Sequence, residues 1–345
     1  MAAAAGAAAQ GHRVGKGSLL LLSSSVGFGV MFYLTPLLHP MPAEAILTLR
    51  IITCILALYV LFAVTKQTKL VSETWRFIRE KPLRIITVIF SGMLLSLQLW
   101  MFAWGPLHGR GLPVALGYFL MPLVLVIIGR FLYKDRMQWW HWIAVLFAAI
   151  GVGFEVVRVG SFSWETLVVA LGYPLYFVVR RANGTAHLGG MMWEQLAMLP
   201  AALLLIPYFA FADPVMVARP ELWIYGLLVS VFGSSVLVIW ILSSKLLPMS
   251  IFGLLSYFEP VFLAAAAFFS GELLTTAEIP VYAAVTLAIL VILTGGTLTA
   301  LRQRRAAKQL VGGSAQAPRS KGPAGDSDFD SVVPVTGSIP IIQER

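Results

Sequence analysis

Apolar positions run along this chain in long blocks, without the short alternation of a soluble strand or the one-sided stripe of a surface helix. Ten predominantly apolar stretches occupy residues 18–38, 45–65, 85–107, 113–133, 139–155, 164–180, 191–212, 221–243, 250–270 and 279–301. Each approaches the roughly 20 residues that a helix needs to cross the hydrocarbon core of a bilayer. In lipid every backbone amide must find its partner within the spanning structure, which selects helices for blocks of this kind. The pattern therefore predicts an all-α polytopic membrane protein with ten transmembrane helices. Residues 1–17 form an Ala/Gly-rich segment ahead of a first span long enough to stay as a helix rather than be cleaved as a signal. Residues 306–345 are rich in Gly, Ser, Pro and charge and are predicted to be a disordered tail, because they hold too little apolar surface to fold.

Composition agrees with this picture. Hydrophobic residues make up 59% of the chain, charged residues only 12%, and the mean hydropathy is +0.84, against about 25% charged residues in soluble domains. The net charge of +9 invites a nucleic-acid reading, but its placement argues for topology instead. With the N-terminus in the cytoplasm, the inner loops and flanks hold 17 basic residues: Arg13, Lys16, Lys66, Lys69, Arg76, Arg79, Lys81, Arg84, Lys134, Arg136, Arg180, Arg181, Lys245, Arg302, Arg304, Arg305 and Lys308. The outer loops hold 3: Arg110, Arg158 and Arg219. That bias predicts a multi-pass protein of the cell (inner or plasma) membrane with both termini cytoplasmic.

The chain also repeats. Trp100 precedes Tyr118 by 18 residues, and Trp240 precedes Tyr257 by 17. Leu116, Gly117, Tyr118, Phe119 and Pro122 are echoed by Leu255, Ser256, Tyr257, Phe258 and Pro260, and Gly27 and Phe28 by Gly172 and Tyr173. Glu44 lies six residues before Arg50, as Glu194 lies six before Pro200. The repeats fall at 18–155 and 164–301. Five spans per repeat is an odd number, so the second copy must enter the membrane from the opposite side. Two inverted five-helix repeats are the architecture of alternating-access carriers.

On these residues the chain resembles the drug/metabolite transporter superfamily, EamA type, and within it the RarD group of chloramphenicol-sensitivity proteins. The segment LGYFLMPLVLVIIGRFLYKDRMQWWHWIAVLFAAIGV at 116–152 is similar to that group's LGYF-x-x-PL run, acidic-basic turn, QW-type helix start and AAIGV ending. SYFEPVFLAAAAFFSGE at 256–272 resembles the broader EamA pattern of Glu-Pro, a small-residue helix and Gly-Glu. The resemblance covers all ten spans. Met121 stands where the group's pattern has a polar Asn, and Asp135 replaces its usual Glu.

Ionisable groups inside a membrane are costly, about 2.5 to 3.5 kcal/mol at a helix centre, and each is a functional candidate. Glu259 is placed about nine residues into the ninth span, near the midplane and beside the helix-kinking Pro260. A lone carboxylate there is costly to keep charged, which makes Glu259 the candidate proton-coupling group; the bland reading is a structural Glu bonded to a neighbouring helix. Arg50 is a candidate to bind an anionic substrate group or pair with Glu259 or Glu44, against a snorkelling alternative. Gln98, Trp100, Tyr118, Trp240 and Tyr257 are candidate cavity walls, with Tyr118 and Tyr257 expected to face one another. Glu44 and Glu194 are gate candidates, each expected in the first turn of its helix, where the dipole favours a carboxylate.

Five histidines in loops or flanks and the single Cys54 offer no metal-ligand cluster, and no phosphate-binding loop is present. No cofactor and no enzymatic activity is expected. The reading is a secondary-active permease or exporter of small metabolites or drug-like compounds, with protons as a possible coupling ion. The rivals are a membrane-embedded lipid-modifying enzyme, which needs convergent polar groups at one interface, and a membrane scaffold or sensor, which needs a structured soluble domain.

Overall fold

Long apolar helices dominate the chain because each apolar block carries its own hydrogen-bond partners. The computed structural model describes residues 2–132, 139–159, 163–247, 255–273, 276, 279–284, 286–288, 290–291, 294–295 and 298. By internal contacts the chain divides into two units, Met1–Ala300 and Leu301–Arg345. The described residues all belong to the first, and the tail predicted at 306–345 lies outside them.

The helices are α1 (Ala2–Leu34), α2 (Ala43–Val64), α3 (Lys69–Arg79), α4 (Pro82–Leu107), α5 (Gly111–Leu132), α6 (Trp139–Val159), α7 (Trp164–Asn183), α8 (Leu188–Phe211), α9 (Pro214–Ala218), α10 (Glu221–Leu246) and α11 (Phe258–Phe269). A shorter apolar helix, α12, follows at Ile279–Ala288. Among the described residues there is no strand. Among the described residues, six segments are long and apolar enough to cross a membrane: Val14–Leu38, Ala43–Val64, Pro82–Leu107, Gly111–Leu132, Leu188–Phe211 and Glu221–Ser243. The other four predicted spans correspond to α6, α7, α11 and α12.

Three differences from the sequence reading have simple causes. Helix α1 runs back to Ala2 through the Ala-rich segment at 1–17, since alanine has the strongest intrinsic helix preference. The loop after α2 contains α3, whose apolar and basic residues segregate on two faces; its packing on α8 includes Trp75 stacked on Trp193 with centroids 4.3 Å apart. The ninth predicted span is interrupted: residues 248–254 lie outside the described set, Leu255 is helical, Ser256 and Tyr257 form a turn, and α11 starts at Phe258. Pro260 thus sits in the first turn of α11, where its missing N–H costs nothing.

Polarity is inverted relative to a soluble protein. Val157, Phe211, Leu204 and Val64 are largely exposed, whereas Ser24, Ser25, Thr48, Thr53, Ser91, Gln98 and Glu194 are buried. An apolar exterior of this extent belongs in lipid, and small hydroxylated residues inside let helices approach and bond. Thr53 Oγ1 bridges α2 to α10, 2.9 Å from Ser234 Oγ and 3.2 Å from the Ser230 carbonyl that accepts from it. Helix α1 packs on α10 and α11, α7 on α4 and α5, α2 on α8 and α10, α4 on α8, and α5 on α11.

Candidate functional site

The candidate residues fall into a central group and two end groups. At the centre, Arg50 on α2 is buried, 7% exposed, with its guanidinium carbon 5.0 Å from the Phe102 ring centroid. Tyr118 on α5 and Tyr173 on α7 meet there, their hydroxyls 3.2 Å apart, and Tyr118 packs edge-on against Phe102 at 5.9 Å. Both tyrosines lie within electrostatic range of Arg50 and of Glu259. Phe28, Met31, Phe102 and Tyr118 share one apolar cluster, with Trp100 and Trp240 packed against it.

Several expectations change on this geometry. Glu259 is the second residue of α11 and lies in its first turn, not nine residues inside a continuous helix; the turn at Ser256–Tyr257 starts the helix just before it. A carboxylate at this position is favoured by the helix dipole and the unpaired amides of the first turn, so its burial costs less than at a helix centre. Among the described residues, no ion pair joins Arg50 to Glu259 or Glu44, and Arg50 does not reach the membrane surface. Tyr118 has Tyr173 for its partner instead of Tyr257. Tyr257 is buried in a separate cluster with Leu116, Phe119 and Leu120, because those residues occupy the α5 face next to the one carrying Tyr118. Tyr173 was legible only as the counterpart of Phe28 in the repeat.

Gln98 is fully buried and donates from Nε2 to the Val168 carbonyl at 3.1 Å, which leaves Oε1 without a partner. Its neighbour is Gly172, where a Cβ would lie 2.0 Å from Gln98 Nε2. Only glycine leaves room for the amide.

At one end of the bundle, Trp100 donates from Nε1 to Glu44 Oε1 at 3.0 Å. Glu44 also lines a cavity of about 280 Å3 together with His39, Met41, Trp104 and His108. Arg110, between α4 and α5, grips Glu165 with Nε at 2.7 Å from Oε1 and Nη2 at 3.2 Å from Oε2, and Ser163 Oγ donates to the same carboxylate. Glu272, just past α11, accepts from the Gly111 and Leu112 amides at 2.7 and 2.8 Å. Burial pushes the Glu272 carboxyl above its usual range, with the two amide donors and Arg110 opposing.

At the other end, Glu194 lies seven residues into α8, beyond the first turn expected for it, and is fully buried. It accepts from Ser91 Oγ of α4 at 3.1 Å and from Tyr176 OH of α7 at 2.9 Å. Arg180 Nε stands 3.0 Å from its Oε1, an ion pair whose N–H is not aligned for a hydrogen bond. Arg180 Nη2 also donates to the Thr185 and His187 carbonyls at 3.0 and 2.7 Å. The helix start is capped by His187, whose Nδ1 accepts from the Gly190 amide; burial and then the Arg180 charge push the His187 imidazole below its ordinary value. Nothing in the local spacing of Ser91, Tyr176 and Arg180 marks them as partners of Glu194, since they come together only through packing.

A helical bundle apolar on the outside, with ion pairs and hydroxyls sealed within, is a multi-pass membrane protein. Comparisons with known proteins narrow the class. The chain is 34% identical to the chloramphenicol-sensitive protein RarD of Pseudomonas aeruginosa over 293 residues, 85% of this chain and 97% of that one. It is 32% identical to an uncharacterized transporter of Pasteurella multocida over 292 residues, 84% of this chain and 99% of that one. It is 28% identical to protein RarD of Escherichia coli over 201 residues, 57% of this chain and 65% of that one. A solved crystal structure shares the fold at a TM-score of 0.50 and 15% identity, covering 81% of this chain and 98% of that chain. No protein-family model matches. The chain is a membrane transporter. It belongs to the RarD-like group of the drug/metabolite transporter superfamily.

Proposed function

We propose that the protein is a secondary-active carrier that exports small metabolites or amphipathic, drug-like compounds by alternating access between two inverted five-helix repeats. One observation carries this reading: the most extensive helix packings keep their pattern when each helix is exchanged for its counterpart in the proposed other repeat. Packing of α1 on α10 answers α7 on α4, α1 on α11 answers α7 on α5, and α2 on α10 answers α8 on α4. The pairs α2 with α8 and α5 with α11 exchange with themselves. Helix α1 leads into the end where Glu44 and Glu165 lie, and α7 starts there, as inversion requires.

This arrangement suits a carrier because the polar networks at the two ends use different helices. Opening one end breaks Arg110–Glu165 and the Glu272 contacts; opening the other breaks Arg180–Glu194. In the proposed cycle both termini are cytoplasmic, Glu44 belongs to the outer gate, Glu194 to the inner one, and Glu259 takes up the coupling proton from water on one side and releases it to water on the other. The P. aeruginosa relative's name refers to chloramphenicol sensitivity, which places amphenicols among the substrates to try. Counterflow in proteoliposomes against amino acids and amphenicol drugs tests the reading. Saturable exchange of at least one compound is expected, and absence of exchange by folded protein across the whole panel refutes it.

A further inference from the structure

We propose that the carrier's substrates are organic monoanions, carboxylates attached to an aromatic or apolar body, and that Arg50 receives the carboxylate. The inference rests on the carrier reading and adds to it the charge and shape of what is carried.

Arginine 50 is a buried cation without an anion. It is 7% exposed, and no carboxylate lies within ion-pair distance of it among the described residues. Four other carboxylates are engaged elsewhere, Glu44 with Trp100, Glu165 with Arg110, Glu194 with Arg180, and Glu272 with two backbone amides, and Glu259, within range of the same tyrosines, forms no ion pair with Arg50 among the described residues. Among the described residues none of the Arg50 nitrogens makes a hydrogen bond, and they are not among the wholly inaccessible buried atoms. A guanidinium held so deep, with the Phe102 ring face at 5.0 Å and only neutral groups beside it among the described residues, is destabilising unless something supplies the missing charge. Arg110 and Arg180 show what satisfies an arginine elsewhere in this chain.

The surroundings define the ligand. A guanidinium presents a planar fork of donors that fits a carboxylate or phosphate in bidentate fashion. Tyr118 and Tyr173 share one hydrogen bond between their hydroxyls, and two hydroxyls sharing one bond keep a second proton free to donate to an acceptor. A single positive charge balances a single negative one. A phosphate dianion would leave a charge uncompensated in apolar surroundings. Around the polar groups stand Phe28 and Phe102 with Trp100 and Trp240 packed against them, a wall suited to an aromatic or aliphatic body.

The test uses full-length protein in lipid nanodiscs, with phenylacetate and 3-phenylpropionate as probes and their primary amides as neutral isosteres, read by tryptophan fluorescence titration. Wild-type protein is expected to bind each acid about 10- to 100-fold more tightly than its amide, the range that a charge-assisted bond supplies. Arg50→Gln should erase that preference, and Arg50→Lys should keep part of it, since the charge remains and the fork is lost. Equal affinity of acid and amide in the wild type overturns the proposal, as does binding of neither, or an acid preference that survives in Arg50→Gln. If Arg50→Gln does not fold, the wild-type pair and Arg50→Lys still decide. Counterflow separates the two levels of argument: exchange of neutral compounds but no acid refutes the anion site and keeps the carrier, whereas Arg50-dependent acid binding without any exchange refutes the carrier and keeps the site.

Discussion

A fully buried carboxylate such as Glu194 persists because two hydroxyl donors and the Arg180 guanidinium, on two other helices, converge on it. Removing one partner of a buried ion pair costs about 3 to 5 kcal/mol, because the remaining charge is left in low dielectric. Glu194→Ala should therefore lower the unfolding temperature of the detergent-purified protein well below that of Glu194→Gln, which keeps acceptors for Ser91 and Tyr176. The double variant with Arg180→Ala should recover part of the loss. If the losses of Glu194→Ala and Arg180→Ala simply add in the double variant, the pair is not coupled. Glu259 differs because it has no ion pair among the described residues and sits in the first turn of α11. If it carries the coupling proton, Glu259→Gln should still exchange substrate across proteoliposomes while losing accumulation driven by a pH gradient. Wild-type accumulation in that variant would assign Glu259 a structural role at the helix start.

Helix crossings depend on a few glycines whose missing side chains admit a neighbour. Helices α7 and α4 cross at Gly172 against Gln98, and α1 and α10 cross at Gly27 against Val236, where a Cβ would lie 2.7 Å from Val236 Cγ2. These two glycines are counterparts in the repeat. Gly172→Ala displaces the Gln98 amide from the Val168 carbonyl and leaves a buried donor unpaired, a loss of about 1 to 3 kcal/mol. Gly153→Ala, with nothing near its added methyl, should be neutral or slightly stabilising. Thermal unfolding of both variants checks the contrast, and equal behaviour would remove the packing argument. Helix α3 is the element that the long apolar blocks hid, since only 11 residues with Lys69, Arg76 and Arg79 on one side form it.

Across the whole molecule, orientation follows from the distribution of basic residues. Placing the termini outside would put the 17 inner basic residues on the wrong side of the membrane. A reporter fusion after Arg305 should show no alkaline phosphatase activity, and one in the loop at Arg110 should be active. The reverse pattern overturns the orientation. The same view explains why charges inside the bundle are few and mostly paired: lipid surrounds it, and each buried ion needs its own partner.

What the sequence determined by itself was the set of apolar blocks, the membrane class and the family, because lipid imposes on every spanning segment a length and polarity that can be counted along the chain. The proposed repeat was read from Trp100, Tyr118, Trp240 and Tyr257. Tertiary structure decided which side chains meet. Tyr118 found Tyr173 instead of Tyr257, Glu194 found Arg180, and Arg50 found no carboxylate, because partners on different helices are set by packing at crossings such as Gly172 and not by spacing along the chain. The start of α11 was likewise decided in three dimensions: a proline can kink a helix or open one, and only the turn at Ser256–Tyr257 shows that Pro260 opens it, which moves Glu259 from a helix centre to a helix start.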